Sequence, residues 1–226
     1  MGSRQAMALA VALTLATGAT DVISYTRLGG AFSSVMTGNL VLLGLSAGRR
    51  DAALATNVAL AIGGYVAGAL AGSRIAGVPA EGRPTWPARV SVTLGAELAV
   101  LGGLLAGWTA SGPKPAGGAQ LGLLAGAATA MGMQSAAVRA VGIAGLSTTY
   151  LTGTLTGVLA SLVSAKGIPW HSIALLLALV LGAAGGGLLV VGAAGFAPVL
   201  PVVVLAAVLV ASVVMLAGAP VQERTG

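Results

Sequence analysis

The sequence predicts an all-α fold, a polytopic bundle of membrane helices built as two structural repeats. Three observations predict it. Only 7% of the residues are charged and 57% are hydrophobic, whereas a soluble domain carries about 25% charged residues to cover its surface. Six apolar runs each approach the roughly 20 residues that cross a bilayer. One polar pattern recurs in both halves of the chain, about 115 residues apart.

The same composition excludes several functions. With no Cys, a single His (His171) and five acids in 226 residues, disulfides, thiolate nucleophiles and zinc or di-metal centres have no ligands to draw on, and no cofactor or metal is expected. The chain is not expected to be an enzyme, because an aspartyl dyad would need adjacent carboxylates. No P-loop, nucleophile elbow or Gly-rich dinucleotide turn is present. The net charge of +6 comes from basic residues standing singly between apolar runs. That is how topology signals are placed, and it does not indicate nucleic acid.

The long runs cover residues 6–26, 53–75, 88–110, 119–138, 172–191 and 197–217. Arg4 ahead of the first run imitates a secretion signal, but the run exceeds signal length and carries Asp21, so cleavage is not expected. Two segments are ambiguous. Residues 32–47 begin with Ser33, Ser34, Thr37 and Asn39, and as a helix of about 24 Å they fall short of a 30 Å hydrocarbon core. Residues 147–165 concentrate Ser147, Thr148, Thr149, Thr152, Thr154 and Thr156 in their first half. Loops are expected at 77–87, with Glu81, Arg83, Pro84 and Pro87, and at 111–118, with Pro113, Lys114 and Pro115. The second loop divides the chain into repeats 1–112 and 117–226, which together form one transmembrane domain.

Aligning the halves sets Gly18 against Gly132 and Asp21 against Ser135; after one inserted residue, Gly30 meets Gly145, Ser33 and Ser34 meet Thr148 and Thr149, and Thr37-Gly38 meets Thr152-Gly153. Gly64 and Gly68 match Gly182 and Gly186. Such internal symmetry is common in transporters. If the short segments span, each half has four crossings and both halves point the same way (4+4). If they are re-entrant, the repeats are inverted 3+3. The basic residues favour the second arrangement: seven (Arg4, Arg74, Arg83, Arg89, Arg139, Lys166, Arg224) then share the N-terminal side against four (Arg27, Arg49, Arg50, Lys114), whereas eight crossings divide them six to five. Lys and Arg mark cytoplasmic loops, so both termini are expected in the cytoplasm.

In the inverted arrangement the polar starts of the short segments approach one another near the midplane. Half-helix N-termini present unpaired N–H groups to anionic or electron-rich groups, and hydroxyls and amides supply adjustable partners. The candidate substrate-binding residues are therefore Ser33, Ser34, Thr37, Gly38, Asn39, Thr148, Thr149, Thr152, Gly153 and Thr154. The competing reading has Ser and Thr bonding to carbonyls one turn back and the glycines serving helix packing.

Asp21 and Glu97 are the only acids inside the apolar runs, and intramembrane acids are functional candidates by default. Both are candidates for proton coupling or ion binding, against a structural Asp21–Arg27 pair and a Glu97 bonded to a neighbouring helix. Secondary candidates are Tyr25, Arg27, Asn57, Tyr65, Gln134, Arg139 and Tyr150, with Arg139 read chiefly as a snorkelling anchor. The small-xxx-small spacings Gly64/Gly68/Gly72, Gly182/Gly186, Gly103/Gly107 and Gly122/Gly126 are expected to pack helices closely, within the chain or in a homodimer.

The stretch 18–44 places an Asp at the end of the first helix, then a Gly-Gly turn and Phe-Ser-Ser-Val-Met-Thr-Gly-Asn-Leu. In this it resembles the YoaK-like family of small bacterial integral membrane proteins, and length and apolar pattern agree along nearly the whole chain. The most specific element is Met36-Thr37-Gly38-Asn39. The resemblance implies a bacterial inner-membrane protein of a family whose function is unknown, and supplies no substrate. The second half departs from the first in having Thr154 where the first has Asn39.

The expected function is a membrane transporter or facilitator for a small molecule or ion, with the two Thr-Gly segments as its site, Asp21 or Glu97 as a proton carrier, and the lipid bilayer as its surroundings. The alternatives are a structural or accessory membrane subunit and, third, a passive channel, for which polar positions are too few to draw a pore.

Overall fold

Hydrocarbon offers the backbone no hydrogen-bond partners, so a chain this apolar has to satisfy its amides within helices. The computed structural model describes residues 3–77, 86–142, 151–164 and 168–217, and the secondary structure there is helical. The helices are α1 (Ser3–Arg27), α2 (Met36–Arg49), α3 (Ala52–Ala76), α4 (Ala88–Ser111), α5 (Gly117–Ala140), α6 (Leu151–Val163), α7 (Trp170–Gly192) and α8 (Val199–Ala217), with a 3-10 turn at Ala194–Phe196 ahead of α8. Six are long and apolar enough to cross a membrane, and they fall on the six expected runs. The two short helices, α2 with 14 residues and α6 with 13, fall on the two ambiguous segments. Most of the expected 77–87 loop, with Glu81, Arg83 and Pro84, lies outside the described residues.

Hydrogen bonds and side-chain contacts fix the helix directions. The amide of Asn57, early in α3, donates to the Gly29 carbonyl just beyond α1, and Gly29 also faces Gln120 at the start of α5. Arg27 at the end of α1 donates to the Val190 carbonyl near the end of α7. Ser91 near the start of α4 bonds to Ser212 near the end of α8, and the Trp108 indole near the end of α4 donates to the Ala194 carbonyl ahead of α8. So α1, α4 and α7 run one way, and α3, α5 and α8 run the other.

α2 leaves and returns at a single end of this bundle. It follows α1 through Gly29 and Gly30, both at positive φ, where glycine meets no Cβ clash. It ends in a tight reversal: Arg50 is left-handed at φ 54°, the Arg50 and Asp51 amides donate back to Ala47 and Ser46, and the Asp51 side chain caps α3 by accepting from the Leu54 amide. α2 and α3 thus form a close helical hairpin, and at 1.5 Å per residue α2 reaches only about 21 Å along it. α6 stands between the end of α5 and the start of α7, at the opposite end of the bundle.

The core is made by two cross-half contacts. α1 packs most extensively on α7, and α3 on α5, and each contact is made by glycines against backbone. A Cβ on Gly182 would fall on the Leu15 carbonyl, one on Gly186 on Ala19, and one on Gly18 on the Leu179 carbonyl. In the other contact, Gly68 faces the Thr129 carbonyl, Gly72 faces Met133, and Gly132 faces the Tyr65 carbonyl. Without a hydrophobic force between helices in lipid, such close approach supplies the packing energy.

Within the chain, Gly103/Gly107 and Gly122/Gly126 do not make the close packing that their spacing allows. A Cβ at Gly103, Gly122 or Gly126 would meet nothing within 4 Å, and one on Gly107 would touch only the Leu123 side chain. With Val100 and Leu104, these residues line an open groove of about 360 Å³ between α4 and α5. Leu123 projects between the helices there and keeps the glycine faces apart.

Gly68→Ala and Gly182→Ala should each destabilise the protein by about 1–3 kcal/mol, the usual overpacking penalty. Gly44→Ala and Gly187→Ala, where a Cβ meets nothing, should be neutral or stabilising. Thermal unfolding in detergent checks this, and equal effects at all four positions would contradict the packing described.

Candidate functional site

The chain between α1 and α2 is non-helical, and such backbone is tolerated at membrane depth only if its polar groups are satisfied. Two side chains satisfy it. Asp21, one and a half turns before the end of α1, accepts from the Ser33 hydroxyl at 2.9 Å, from the Ser34 amide at 2.8 Å and from the Ser34 hydroxyl at 2.5 Å. Asn39, in the first turn of α2, closes a two-way clamp: its oxygen accepts from the Phe32 amide at 2.9 Å and its nitrogen donates to the Phe32 carbonyl at 2.7 Å. The Phe32 ring stacks on Tyr25 with centroids 4.7 Å apart.

These bonds set the start of α2 in place without closing it. Val35 is the N-cap residue and makes no side-chain cap bond, so the first-turn amides are left without a side-chain acceptor. This start faces the start of α6 across a cavity of about 410 Å³ lined by Ser34, Val35, Met36, Thr37, Leu151, Thr152 and Gly153. The two half-helices therefore meet N-terminus to N-terminus. The lining combines apolar walls with the Thr37 and Thr152 hydroxyls, an apolar body with a few polar groups as in small-ligand sites.

The candidate residues divide accordingly. Ser34, Thr37, Thr152 and Gly153 come together at the cavity. Ser33 and Asn39 are fully buried in the bonds to Asp21 and Phe32, and Thr154 is not in the lining. They were expected to bind substrate because their types suit it. The donors and acceptors of Ser33 and Asn39 instead hold the loop, because that loop has no helix of its own to satisfy it. Gly38 packs its open side toward Phe32 and Val35. Thr148, Thr149 and Tyr150 lie outside the described residues.

Asp21 is not paired with Arg27, whose guanidinium is engaged with Val190. Glu97 is not among the residues lining this cavity. It is fully buried on α4, and neither carboxyl oxygen has a hydrogen-bond partner, so the bond to a neighbouring helix that the competing reading required is not made. Tyr65 donates to the Ser135 hydroxyl at 2.8 Å, and Gln134 donates to Thr17 at 2.7 Å. Both lock helices together. Asn57 bonds to Gly29, as above, and Arg139 is exposed at the end of α5.

Several residues escaped the sequence reading. Val35, Met36 and Leu151 line the cavity although nothing polar marks them. Ser24, buried with an unpartnered hydroxyl one turn beyond Asp21, was detectable only through its i+3 spacing from that acid. Trp86, Ser91 and Ser212 form a hydrogen-bonded chain between α4 and α8 whose members are 121 residues apart at their furthest bond.

Comparison with known proteins agrees with this architecture at the level of family. A family model described as "Protein of unknown function (DUF1275)" matches residues 9–212. The UPF0700 transmembrane protein YoaK of Bacillus subtilis (strain 168) is 36% identical over 149 residues, which is 65% of this chain and 63% of that protein, so the match spans somewhat less than two thirds of the relative's length. No solved structure matches. With the family pattern running through every long helix and through α2 with its Asp21 support, this multi-pass membrane protein belongs to the DUF1275 family.

Proposed function

We propose that the protein is a small-solute transporter or facilitator of the bacterial inner membrane, built as an inverted 3+3 repeat, with its site in the cavity between the starts of α2 and α6. The observation that carries this is the N-terminus-to-N-terminus meeting of two half-helices over a cavity holding Thr37 and Thr152. Paired broken segments in corresponding positions of two halves are the pattern of secondary-transporter sites. The alternating helix directions and the exchanged glycine contacts, α1 with α7 and α3 with α5, support inversion. A packing subunit has no use for an open cavity between two half-helices. With α2 and α6 re-entrant from opposite faces, the N-terminal side holds seven of the eleven basic residues and is the cytoplasmic one.

In this reading Asp21 is a positioning residue. Its bonds aim the first turn of α2 at the cavity, where the N-terminus of α2 and the Thr hydroxyls receive the acceptor groups of a solute.

Topology is testable in the Cys-free background. Thr26→Cys and Arg49→Cys flank α2 and should react with a membrane-impermeant thiol reagent from the same face, and Arg139→Cys from the other. Labelling of Thr26→Cys and Arg49→Cys from opposite faces would make α2 a crossing and end the inverted reading.

Function is testable by solute-driven swelling of proteoliposomes, followed by light scattering over a panel of small neutral and anionic solutes. At least one solute should enter faster than in protein-free vesicles. Thr37→Val and Thr152→Val should slow that entry about 3–10-fold, as expected for loss of one hydrogen bond, without lowering thermal stability. Asp21→Asn should lower both entry and stability, because an amide nitrogen replaces an acceptor facing the serine donors. A panel in which no solute outruns bare lipid would sink the transport reading.

A further inference from the structure

Glu97 is the tenth residue of the 24-residue α4 (Ala88–Ser111), about 14 Å from its start at 1.5 Å per residue and thus near mid-membrane. It is fully buried, and both carboxyl oxygens lack a hydrogen-bond partner. Burying a polar group without a bond costs several kcal/mol, and an ionised carboxylate far more. A structural role would show itself as a hydrogen bond, as Asp21 and Asn39 show theirs to the loop ahead of α2, and Glu97 makes none.

Nor does any described charge compensate it. α4 packs on α5, α8 and α3. On α5 the charged group is Arg139, exposed at the helix end; on α3 they are Arg74, exposed near that helix's end, and Tyr65, which is bonded to Ser135; described α8 has none; and on α4 itself Arg89 is exposed at the first turn. The antiparallel register of α4 and α5, in which Gly107 faces Leu123, brings the level of Glu97 to the region of Gln134. That side chain reaches across to Leu13 and Thr17 of α1. Glu97 therefore lies at the same level along the bundle as this polar contact between α5 and α1.

We propose that Glu97 is the proton-binding site of the transport cycle, sealed in this conformation and opened to water in another, where the carboxylate takes up one proton to become the carboxylic acid and later returns it. An acid that contributes no bond to the conformation seen must find its partner in a different one, and for a lone carboxyl at mid-membrane that partner is a proton delivered by water. As a coupling site this rests on the transport reading above, but its test reads the acid alone and needs no solute.

The full-length protein in vesicles of phosphatidylethanolamine and phosphatidylglycerol is treated with dicyclohexylcarbodiimide, an apolar reagent that modifies carboxylic acids in their protonated form, and adducts are located by peptide mass spectrometry. Glu97 should be modified, with a yield that falls about tenfold per pH unit above its midpoint, as for any titrating acid, and Glu97→Gln should remove the adduct. In parallel, Glu97→Gln and Glu97→Leu should unfold no lower than the parent, since removing an unsatisfied buried group is neutral or stabilising. No adduct at Glu97, a yield indifferent to pH, or a lowered midpoint in both variants would overturn the proposal. Either of the first two would leave the α2/α6 cavity standing, whereas loss of the Thr37 and Thr152 effects with pH-dependent labelling intact would remove the cavity and leave the acid.

Discussion

The structure depends on keeping four non-helical residues, 32–35, satisfied inside a membrane protein. Hydrocarbon penalises each unpaired amide or carbonyl by several kcal/mol. The chain meets that constraint with Asp21 and Asn39, which between them engage the Ser33 and Ser34 hydroxyls, the Ser34 amide and both backbone groups of Phe32. Once the loop is held, α2 can start within the bundle and return to the end it came from. Without it, residues 32–47 would have to lie on the surface or be a crossing that is too short. The return of α2 to the end it came from, the cavity at its start and the shared end of α1 and α3 all follow from one carboxylate and one amide.

A second constraint acts between the halves. α1 and α5 are the most enclosed helices, α1 rich in Ala and Thr and α5 in Ala and Gly. The threonines of α1 return their hydroxyls to its own backbone, Thr14 to Ala10, Thr17 to Leu13 and Thr20 to Ala16, so they present small, nearly apolar surfaces to neighbours. That lets α7 and α3 approach until glycines meet carbonyls. Stability is therefore concentrated in the α1–α7 and α3–α5 contacts. α2 and α6 pack on one neighbour each, chiefly α3 and α7, and helices with few buried contacts form the low-stability end of a fold. A rigid interior with lightly held half-helices is consistent with the solute movement proposed above.

Much of this was legible in the sequence because apolar length and internal recurrence are direct consequences of the bilayer. The six spans, the two short segments and the importance of Asp21 could all be read from residue order. The roles of Ser33, Ser34 and Asn39 could not. Their types suit a ligand equally well, and only the Gly29–Gly30 turn, which brings residues 12 and 13 positions apart into contact, shows that the serines face Asp21. Glycine spacing was ambiguous for a similar reason. Gly68/Gly72 and Gly122/Gly126 carry the same pattern on neighbouring helices, yet one pair meets backbone and the other lines a groove. The spacing shows that a helix face is flat, and the partner's side chains, here Leu123, decide whether anything can reach it.

The acids of the described residues make the remaining contrast. Asp51 caps α3 by accepting from the Leu54 amide, and Asp21 accepts from the Ser34 amide. Each is retained by a backbone amide that has no helical bond of its own, in the first turn of α3 or just ahead of α2, where a carboxylate is the natural partner. Glu97 has no such donor, because it sits in the interior of α4, where every amide is already bonded within the helix. Replacing it by Gln or Leu would leave each described hydrogen bond of the fold in place. Its presence is not required by the architecture that Asp21 and the glycine contacts build, which leaves the proposed proton-binding role to account for a carboxyl group at that depth.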